Sequence, residues 1–158
     1  MMALLKGGGV VKMKLSKAGL SAIAAREGFS ATRYKDSDGE SIGFGHFILL
    51  GDSFSEPISK IEGLALLEAD AAIAERAVRA FVVVPLSQDQ FDALVSFVYN
   101  VGANAFKNST LLRKLNAGDV AGAVAQFAVW NKDRLNGQVI TLAELTKRRA
   151  SEAAQFVA

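Results

Sequence analysis

Residues 27–46 read EGFSATRYKDSDGESIGFGH, and this stretch decides the fold class. Its Ser37-Asp38-Gly39 segment is a turn signal between two short extended segments, Arg33–Lys35 and Ser41–His46. Strand alternation in the second segment predicts one larger face, made by Ile42, Phe44 and His46. Small residues would line the opposite face, which indicates either a bulge or a surface kept open for close approach. The stretch therefore predicts a small β-hairpin.

The segments before and after this hairpin in the sequence have helical periodicity. Ser16 is placed to cap a first helix, whose apolar stripe ends in the charged residue Glu27. Shorter helices are predicted over residues 109–115 and 119–130. Three capping boxes predict further helix starts: Ser59 with Glu62, Ser87 with Gln90, and Thr141 with Glu144. The sequence thus predicts an α+β fold in which a long helix joins a small β-hairpin lobe to a larger helical lobe, with a cleft between the lobes.

Composition places the chain among ordinary globular proteins. Its 158 residues are 51% hydrophobic and 22% charged, which fits one domain with a substantial core. Cysteine is absent, so disulfides and thiolate metal sites are excluded. The net charge of +2 weakly favours an anionic target. Residues 1–14 are expected to be a flexible leader and residues 15–158 a single catalytic domain, without a signal peptide or transmembrane segment.

Glu27 and Asp36 are the candidate carboxylate pair. Glycoside hydrolysis needs one carboxylic acid to protonate the leaving oxygen and a second group to handle water or the developing sugar cation. An acid that ends an apolar stripe suits the first role, because burial disfavours the charged form of a carboxylic acid. An acid on a wet hairpin suits the second. The alternative is that both are surface or salt-bridged acids, since the chain has 16 acidic residues.

An ordered set of motifs extends from this pair to the end of the chain. Glu27-Gly28-Phe29 is followed by Tyr34-Lys35-Asp36 and by Ser41-Ile42-Gly43-Phe44-Gly45-His46. Later segments continue the series: Gln90–Phe97, Asn100-Val101-Gly102, Ser109–Leu112, Trp130 and Lys147–Ala153. Together they closely resemble the phage-type lysozymes, or endolysins, of glycoside hydrolase family 24. The resemblance covers nearly everything from Leu15 to Phe156.

The resemblance implies a lysozyme-like fold and a muramidase that causes host cell lysis. Its substrate would be the β-1,4 linkage between N-acetylmuramic acid and N-acetylglucosamine in bacterial peptidoglycan. Carried over by position, Glu27 is the proton donor, Asp36 the second catalytic acid, and Ser41 takes the place of the catalytic threonine. Three residues at helix ends are expected to contact substrate: Tyr99, Asn100 and Ser109. No metal or organic cofactor is implied.

The hairpin departs from the family pattern in two ways. Serine stands at position 41 where the family usually has threonine, and four residues instead of five separate it from Asp36. Serine keeps the hydroxyl but loses the methyl group that restricts the rotamer. The altered hairpin leaves open a wall-binding or structural phage protein that kept the fold and lost activity. A lytic transglycosylase, which can act with one glutamate, is the other alternative, although Asp36 and Ser41 favour hydrolysis.

The remaining candidate residues are interpreted as structural. His46 is expected to pair with Asp70 of the long helix, and Arg149 to form a salt bridge across the cleft. Phe127 and Trp130 are expected in the core. The protein is expected to be a monomer, and it is not expected to bind nucleic acid, since no aromatic residues are interleaved with the basic run Lys147–Arg149. It would be made in the host cytoplasm and would act on the wall after a separate holin opens the membrane.

Overall fold

The computed structural model describes residues 10–158, so residues 1–9 of the expected leader lie outside the described residues. Helix α1 (Lys17–Glu27) leads into a three-stranded antiparallel sheet. Its strands are β1 (Ser30–Asp36), β2 (Gly39–Gly43) and β3 (His46–Phe47), paired in that order. Ser16 caps α1, since its side chain accepts a hydrogen bond from the Gly19 amide at 2.9 Å. The predicted helix start and the predicted hairpin are both confirmed.

The alternation predicted a single strand over the second extended segment, Ser41–His46. The structure divides this segment into two strands. Strand β2 ends at Gly43, the chain reverses through Phe44-Gly45, and His46 returns as the cross-strand partner of Ile42. Gly43 and Gly45 have φ angles of +68° and +85°, a region that glycine enters without steric cost. The alternation of small residues therefore marks a tight turn. Ile42 and His46 still share one face of the sheet as cross-strand partners, but Phe44 lies in the turn, so the expected face of all three residues is wrong at Phe44.

Six helices follow the small sheet within the part of the chain that the structure describes. They are α2 (Lys60–Phe81), α3 (Gln88–Val101), α4 (Ala103–Lys107), α5 (Thr110–Asn116), α6 (Val120–Phe127) and α7 (Ala143–Phe156). The capping boxes of Ser59 with Glu62 and of Ser87 with Gln90 are both present. Helix α2 contacts both the sheet and α3, so it is the predicted connection between the lobes. None of these helices is long and apolar enough to cross a membrane.

A second hairpin before α7 is absent from the sequence prediction. Strands β4 (Lys132–Leu135) and β5 (Gln138–Thr141) pair around Asn136-Gly137, whose φ angles are +50° and +80°. This dipeptide is a strong signal for a two-residue hairpin turn, so the information was present in the sequence. Thr141 lies in β5 and Leu142 precedes α7 without a side-chain cap, so the third capping box is wrong.

The main core lies in the larger helical lobe and is built around α3. Buried residues occupy consecutive positions of α3 from Phe91 to Val98, because α1 and other helices pack on several sides of α3. The Phe97 ring meets the Phe127 ring edge-on at 5.4 Å and the Trp130 ring at 5.5 Å. Phe127 is fully buried, and Trp130 packs partly buried against the same cluster, as expected for core residues.

The segment before α1 contacts this core. Val10 is 1% exposed and begins a short 3₁₀ helix, Val10–Lys12. The Met13 carbonyl accepts a hydrogen bond from Arg79 of α2 at 2.9 Å, and the Lys14 carbonyl accepts one from Gln88 of α3 at 2.8 Å. Residues 10–14 thus pack on the helical lobe.

Candidate active site

The end of α1 presents the Glu27 carboxylate at the small lobe. Gly28 ends the helix with a φ of +73°, and its amide donates to the Ala24 carbonyl. Gly45 allows the tight turn before β3 to approach this carboxylate. A Cβ atom at Gly45 would lie 3.2 Å from Glu27 Oε2, so a larger residue there would press on it. The Glu27 side chain is 18% exposed, which leaves it within reach of a ligand.

Arg148 of α7 holds the other oxygen of this carboxylate. Its Nη1 donates to Glu27 Oε1 at 2.5 Å, in a charge-assisted hydrogen bond. The sequence interpretation assigned the salt bridge across the cleft to Arg149, and this assignment is wrong. Arg149 is 1% exposed, points into the helical lobe and bonds to the Asn100 side chain. Adjacent helical residues differ by about 100° in direction, so only one of two neighbouring arginines can face Glu27.

A buried glutamate anchors both arginines. Glu152 is fully buried, and its Oε1 accepts from Arg148 Nε at 3.1 Å and from Ser96 Oγ at 2.8 Å. Its Oε2 lies 3.0 Å from Arg149 Nη1. Burial lowers the pKa of Arg149 to about 10, although the charge of Glu152 acts in the opposite direction. Glu152 therefore holds the Arg148 guanidinium through Nε, on the side away from Glu27, while Nη1 contacts Glu27.

The hairpin brings Asp36 and Ser41 together despite its shortened turn. Asp36 ends β1 and is exposed, whereas Ser41 lies in β2 and is 1% exposed. Ser41 Oγ lies 3.5 Å from Asp36 Oδ2, and Asp36 Oδ1 accepts from the Ser37 amide at 2.7 Å. The separation of 3.5 Å is at the outer limit of a hydrogen bond, so the Asp36 carboxylate holds the Ser41 hydroxyl only weakly.

Tyr34 joins this group, although the sequence interpretation gave it no role. It is the cross-strand partner of Ser41 and lines a cavity of about 370 Å³ together with Glu27 and Gly43. Burial raises the pKa of the Tyr34 phenol, and the charges of Asp36 and Glu27 add to this effect. Hydrogen bonding with Ser41 opposes it. The strand pairing around the turn at residues 37–39 was the signal that could have identified Tyr34.

The three residues expected to contact substrate have different surroundings. Tyr99 is half-buried beside Gly45 and donates its hydroxyl to the Phe44 carbonyl at 3.3 Å. Burial raises its pKa well above the usual range, with Glu27 and Asp70 acting in the same direction. Asn100 is exposed and borders a second cavity, of about 350 Å³, with Trp130. Tyr99 is therefore near Glu27, and Asn100 lies at another depression.

Ser109 occupies a helix cap. Its Oγ accepts from the Leu112 amide at 3.0 Å and donates to the Phe106 carbonyl at 2.7 Å, and the residue is 5% exposed. Both hydrogen bonds support the start of α5, because Ser109 is the cap of a helix that the sequence predicted to begin here. The geometry around Ser109 therefore explains it as a structural residue.

His46 makes the predicted contact with Asp70. Its Nδ1 lies 2.8 Å from Asp70 Oδ2, which ties β3 to the long helix α2. Asp52 approaches the other ring nitrogen at 3.9 Å, and Phe54 packs edge-on against the ring. The ring lies between the small sheet and α2, where it connects the two.

The sequence matches a family model described as Phage lysozyme over residues 24–152. The chain is also 39% identical over 145 residues to the endolysin of Acyrthosiphon pisum secondary endosymbiont phage 1. That alignment covers 91% of this chain and 98% of the relative.

Two solved structures resemble the fold closely. The endolysin from Escherichia coli O157:H7 phage FAHEc1 has a TM-score of 0.86 and 35% identity, with 92% of this chain and 94% of the other covered. The muramidase domain of SpmX from Asticaccaulis excentricus also has a TM-score of 0.86, with 37% identity and coverage of 93% and 99%.

Proposed function

The chain belongs to the phage lysozyme family, and we propose that Glu27, Asp36 and Ser41 form its active site. It is a glycoside hydrolase with the function of an endolysin that hydrolyses bacterial peptidoglycan. In that role it cleaves the β-1,4 linkage between N-acetylmuramic acid and N-acetylglucosamine. The geometry around Glu27 supports the assignment of individual residues to this reaction.

The different surroundings of the two Glu27 oxygens carry the proposal. Arg148 holds Oε1, whereas Oε2 lies on the side of Gly45, and the residue lines the cavity beside the hairpin. A carboxylic acid fixed through one oxygen can present the other to a leaving group in a defined direction. We assign Glu27 as the general acid, which gives its proton to the glycosidic oxygen while the sugar develops positive charge.

Asp36 and Ser41 supply the second half of the reaction. The exposed Asp36 carboxylate can stabilise the sugar cation and accept a proton from water, and the Ser41 hydroxyl beside it can orient that water. The turbidity of purified cell walls, followed together with the release of reducing ends, tests this scheme. Loss of turbidity with new reducing ends supports hydrolysis, whereas anhydro-muramic ends would indicate a transglycosylase.

Product stereochemistry is expected to be inverted. If Asp36 and Ser41 hold a water on the face opposite the leaving group, that water attacks with inversion and the first product has the α configuration. Proton NMR of the anomeric region, recorded during the first turnovers, measures this before mutarotation mixes the anomers. An initial β product would mean that a carboxylate attacks the sugar directly and would contradict the assignment of a bound water.

We infer that the protein reaches its substrate through a separate membrane-opening partner such as a holin. The substrate of an endolysin made in the host cytoplasm lies beyond the cytoplasmic membrane. Expressed alone in a bacterial cytoplasm, the chain is expected to accumulate without lysis, and the culture should clear when a permeabilising agent is added. Optical density before and after permeabilisation measures this, with the Glu27→Gln variant as control. Rapid clearing without any agent would contradict the inference.

We further propose that the active unit is a monomer. Glu27, Asp36, Ser41 and the Arg148 contact all come from one chain. No residue of a second copy is needed to complete this arrangement.

A further inference from the structure

The turn between β2 and β3 forms one wall of the space around Glu27 Oε2. A Cβ atom on Gly45 of this turn would lie 3.2 Å from that oxygen, so the Gly45 backbone packs beside the carboxyl group. The terminal torsion of a glutamate side chain is broad, so the side chain by itself does not fix the direction of its carboxyl group. Arg148 restrains Oε1. The position of the turn therefore decides how far Oε2 can rotate.

Tyr99 connects this turn to the helical lobe. Its hydroxyl donates a hydrogen bond to the Phe44 carbonyl oxygen at 3.3 Å. The same hydroxyl lies 3.9 Å from the position that a Gly45 Cβ atom would occupy, so Tyr99, the turn and the Glu27 carboxyl group meet at one place. Tyr99 belongs to α3, whereas the turn belongs to the small sheet. The bond thus crosses from one lobe to the other beside Glu27.

Other elements hold the turn through its side chains. The Phe44 ring packs against the Phe29 ring, with 5.0 Å between the ring centroids. His46, the first residue of β3, is held by Asp70 of α2. The Tyr99 bond is made instead to the peptide group that joins Phe44 to Gly45. Tyr99 therefore acts on the part of the turn that packs beside Glu27.

The Tyr99 phenol is suited to act as a lasting but weak donor. Burial raises its pKa well above the usual range, and the charge of Glu27 acts in the same direction, so the hydroxyl keeps its proton. The bond length of 3.3 Å exceeds the value of about 2.7–2.8 Å that is most common between two oxygens. Such a bond contributes little to stability, and its effect is to restrain the direction of the turn.

We propose that Tyr99 is a positioning residue, whose hydroxyl holds the Phe44-Gly45 peptide against Glu27 and so keeps Oε2 directed at the leaving sugar oxygen. This inference rests on the proposed function, because it needs Glu27 to be the general acid. The competing explanation is that the Tyr99 hydroxyl binds sugar directly. A sugar contact would weaken substrate binding, whereas a positioning residue acts on the rate of the bound complex.

Tyr99→Phe removes the hydroxyl and keeps the aromatic ring. The parent and this variant are assayed on soluble peptidoglycan strands by reducing-end release, which gives kcat and KM separately. We expect kcat to fall about two- to fivefold, the lower part of the range for one hydrogen bond, with little change in KM.

A binding measurement examines the same hydroxyl without catalysis. Glu27→Gln and the double variant Glu27→Gln/Tyr99→Phe are each titrated with soluble peptidoglycan strands in a calorimeter. The two affinities are expected to be equal, because the hydroxyl bonds to the turn and not to the sugar.

The outcomes distinguish this inference from the proposed function. An inactive parent, or a Glu27→Gln chain as active as the parent, would overturn the proposed active site and this inference together. An active parent with an unchanged kcat in Tyr99→Phe, a rise in KM alone, or weaker strand binding by the double variant would overturn the inference only. Thermal unfolding of every chain verifies that folded proteins are compared. A lower melting temperature with unchanged kcat would make Tyr99 a purely structural residue, which also overturns the inference.

Discussion

Glu27→Gln is expected to reduce the rate of cell-wall lysis by about a hundred- to ten-thousand-fold, the range that general acid catalysis contributes. Glutamine has the same shape, and its carbonyl oxygen can still accept the hydrogen bond from Arg148 Nη1. Its amide N–H is too weak an acid to protonate a leaving sugar oxygen. The variant should therefore stay folded while turbidity clearing almost stops, as measured at equal protein concentration.

Glu68→Gln provides the matched control for this experiment. Glu68 is an exposed glutamate on α2, beside the segment of residues 12–14 and outside the proposed site. The same chemical change there should leave lysis unaltered. A folded Glu27→Gln chain that clears walls at nearly the parent rate would refute Glu27 as the general acid.

Glu152→Gln is expected to lower the free energy of unfolding by about 3–5 kcal/mol, the usual cost of removing one partner from a buried ion pair. Glu152 and Arg149 are both fully buried, and Arg148 is nearly so. An amide would leave Arg149 without its buried counter-charge and Arg148 with Glu27 as its remaining one, and its NH2 group would face one of the two guanidinium groups donor to donor. Equilibrium unfolding in urea, followed by circular dichroism, measures the change in unfolding free energy.

Glu144→Gln is the corresponding control on the same helix. Its ion pair with Lys147 spans 3.6 Å, and both side chains are more than three-quarters exposed. Water and salt screen such a pair, so this variant should lose less than about 1 kcal/mol. If the two variants are equally stable, the buried charge of Glu152 does not contribute to the stability of the fold.

The sequence alone determined the features whose energy is local. The helix starts at Ser16, Ser59 and Ser87 each depend on a side chain that bonds to the backbone three residues later, and all are present as predicted. Helix α5 also begins within one residue of its predicted start, although no cap was predicted at Ser109. The turn between β1 and β2 depends on its own residues as well. Interactions between residues only a few positions apart can be predicted from the sequence, because the chain itself brings the two groups together.

The order of motifs also allowed the family and the function to be inferred before any contact was known. The match to the phage lysozyme family over residues 24–152 confirms that inference. The assignment of Glu27, Asp36 and Ser41 came from the same motifs and stays a prediction. The geometry supports it by placing Ser41 beside Asp36 even with a shorter turn.

Only the tertiary structure decided which groups surround that site. Glu27 and Arg148 are 121 positions apart, and periodicity could not tell whether Arg148 or Arg149 faces the carboxylate. The choice depends on the rotation of α7 against α3, which the packing of both whole helices sets. The reversal at Phe44-Gly45 and the pairing of Tyr34 with Ser41 likewise depend on strand register. Register and helix rotation are properties of packed surfaces, and no short stretch of sequence contains both of the surfaces that meet.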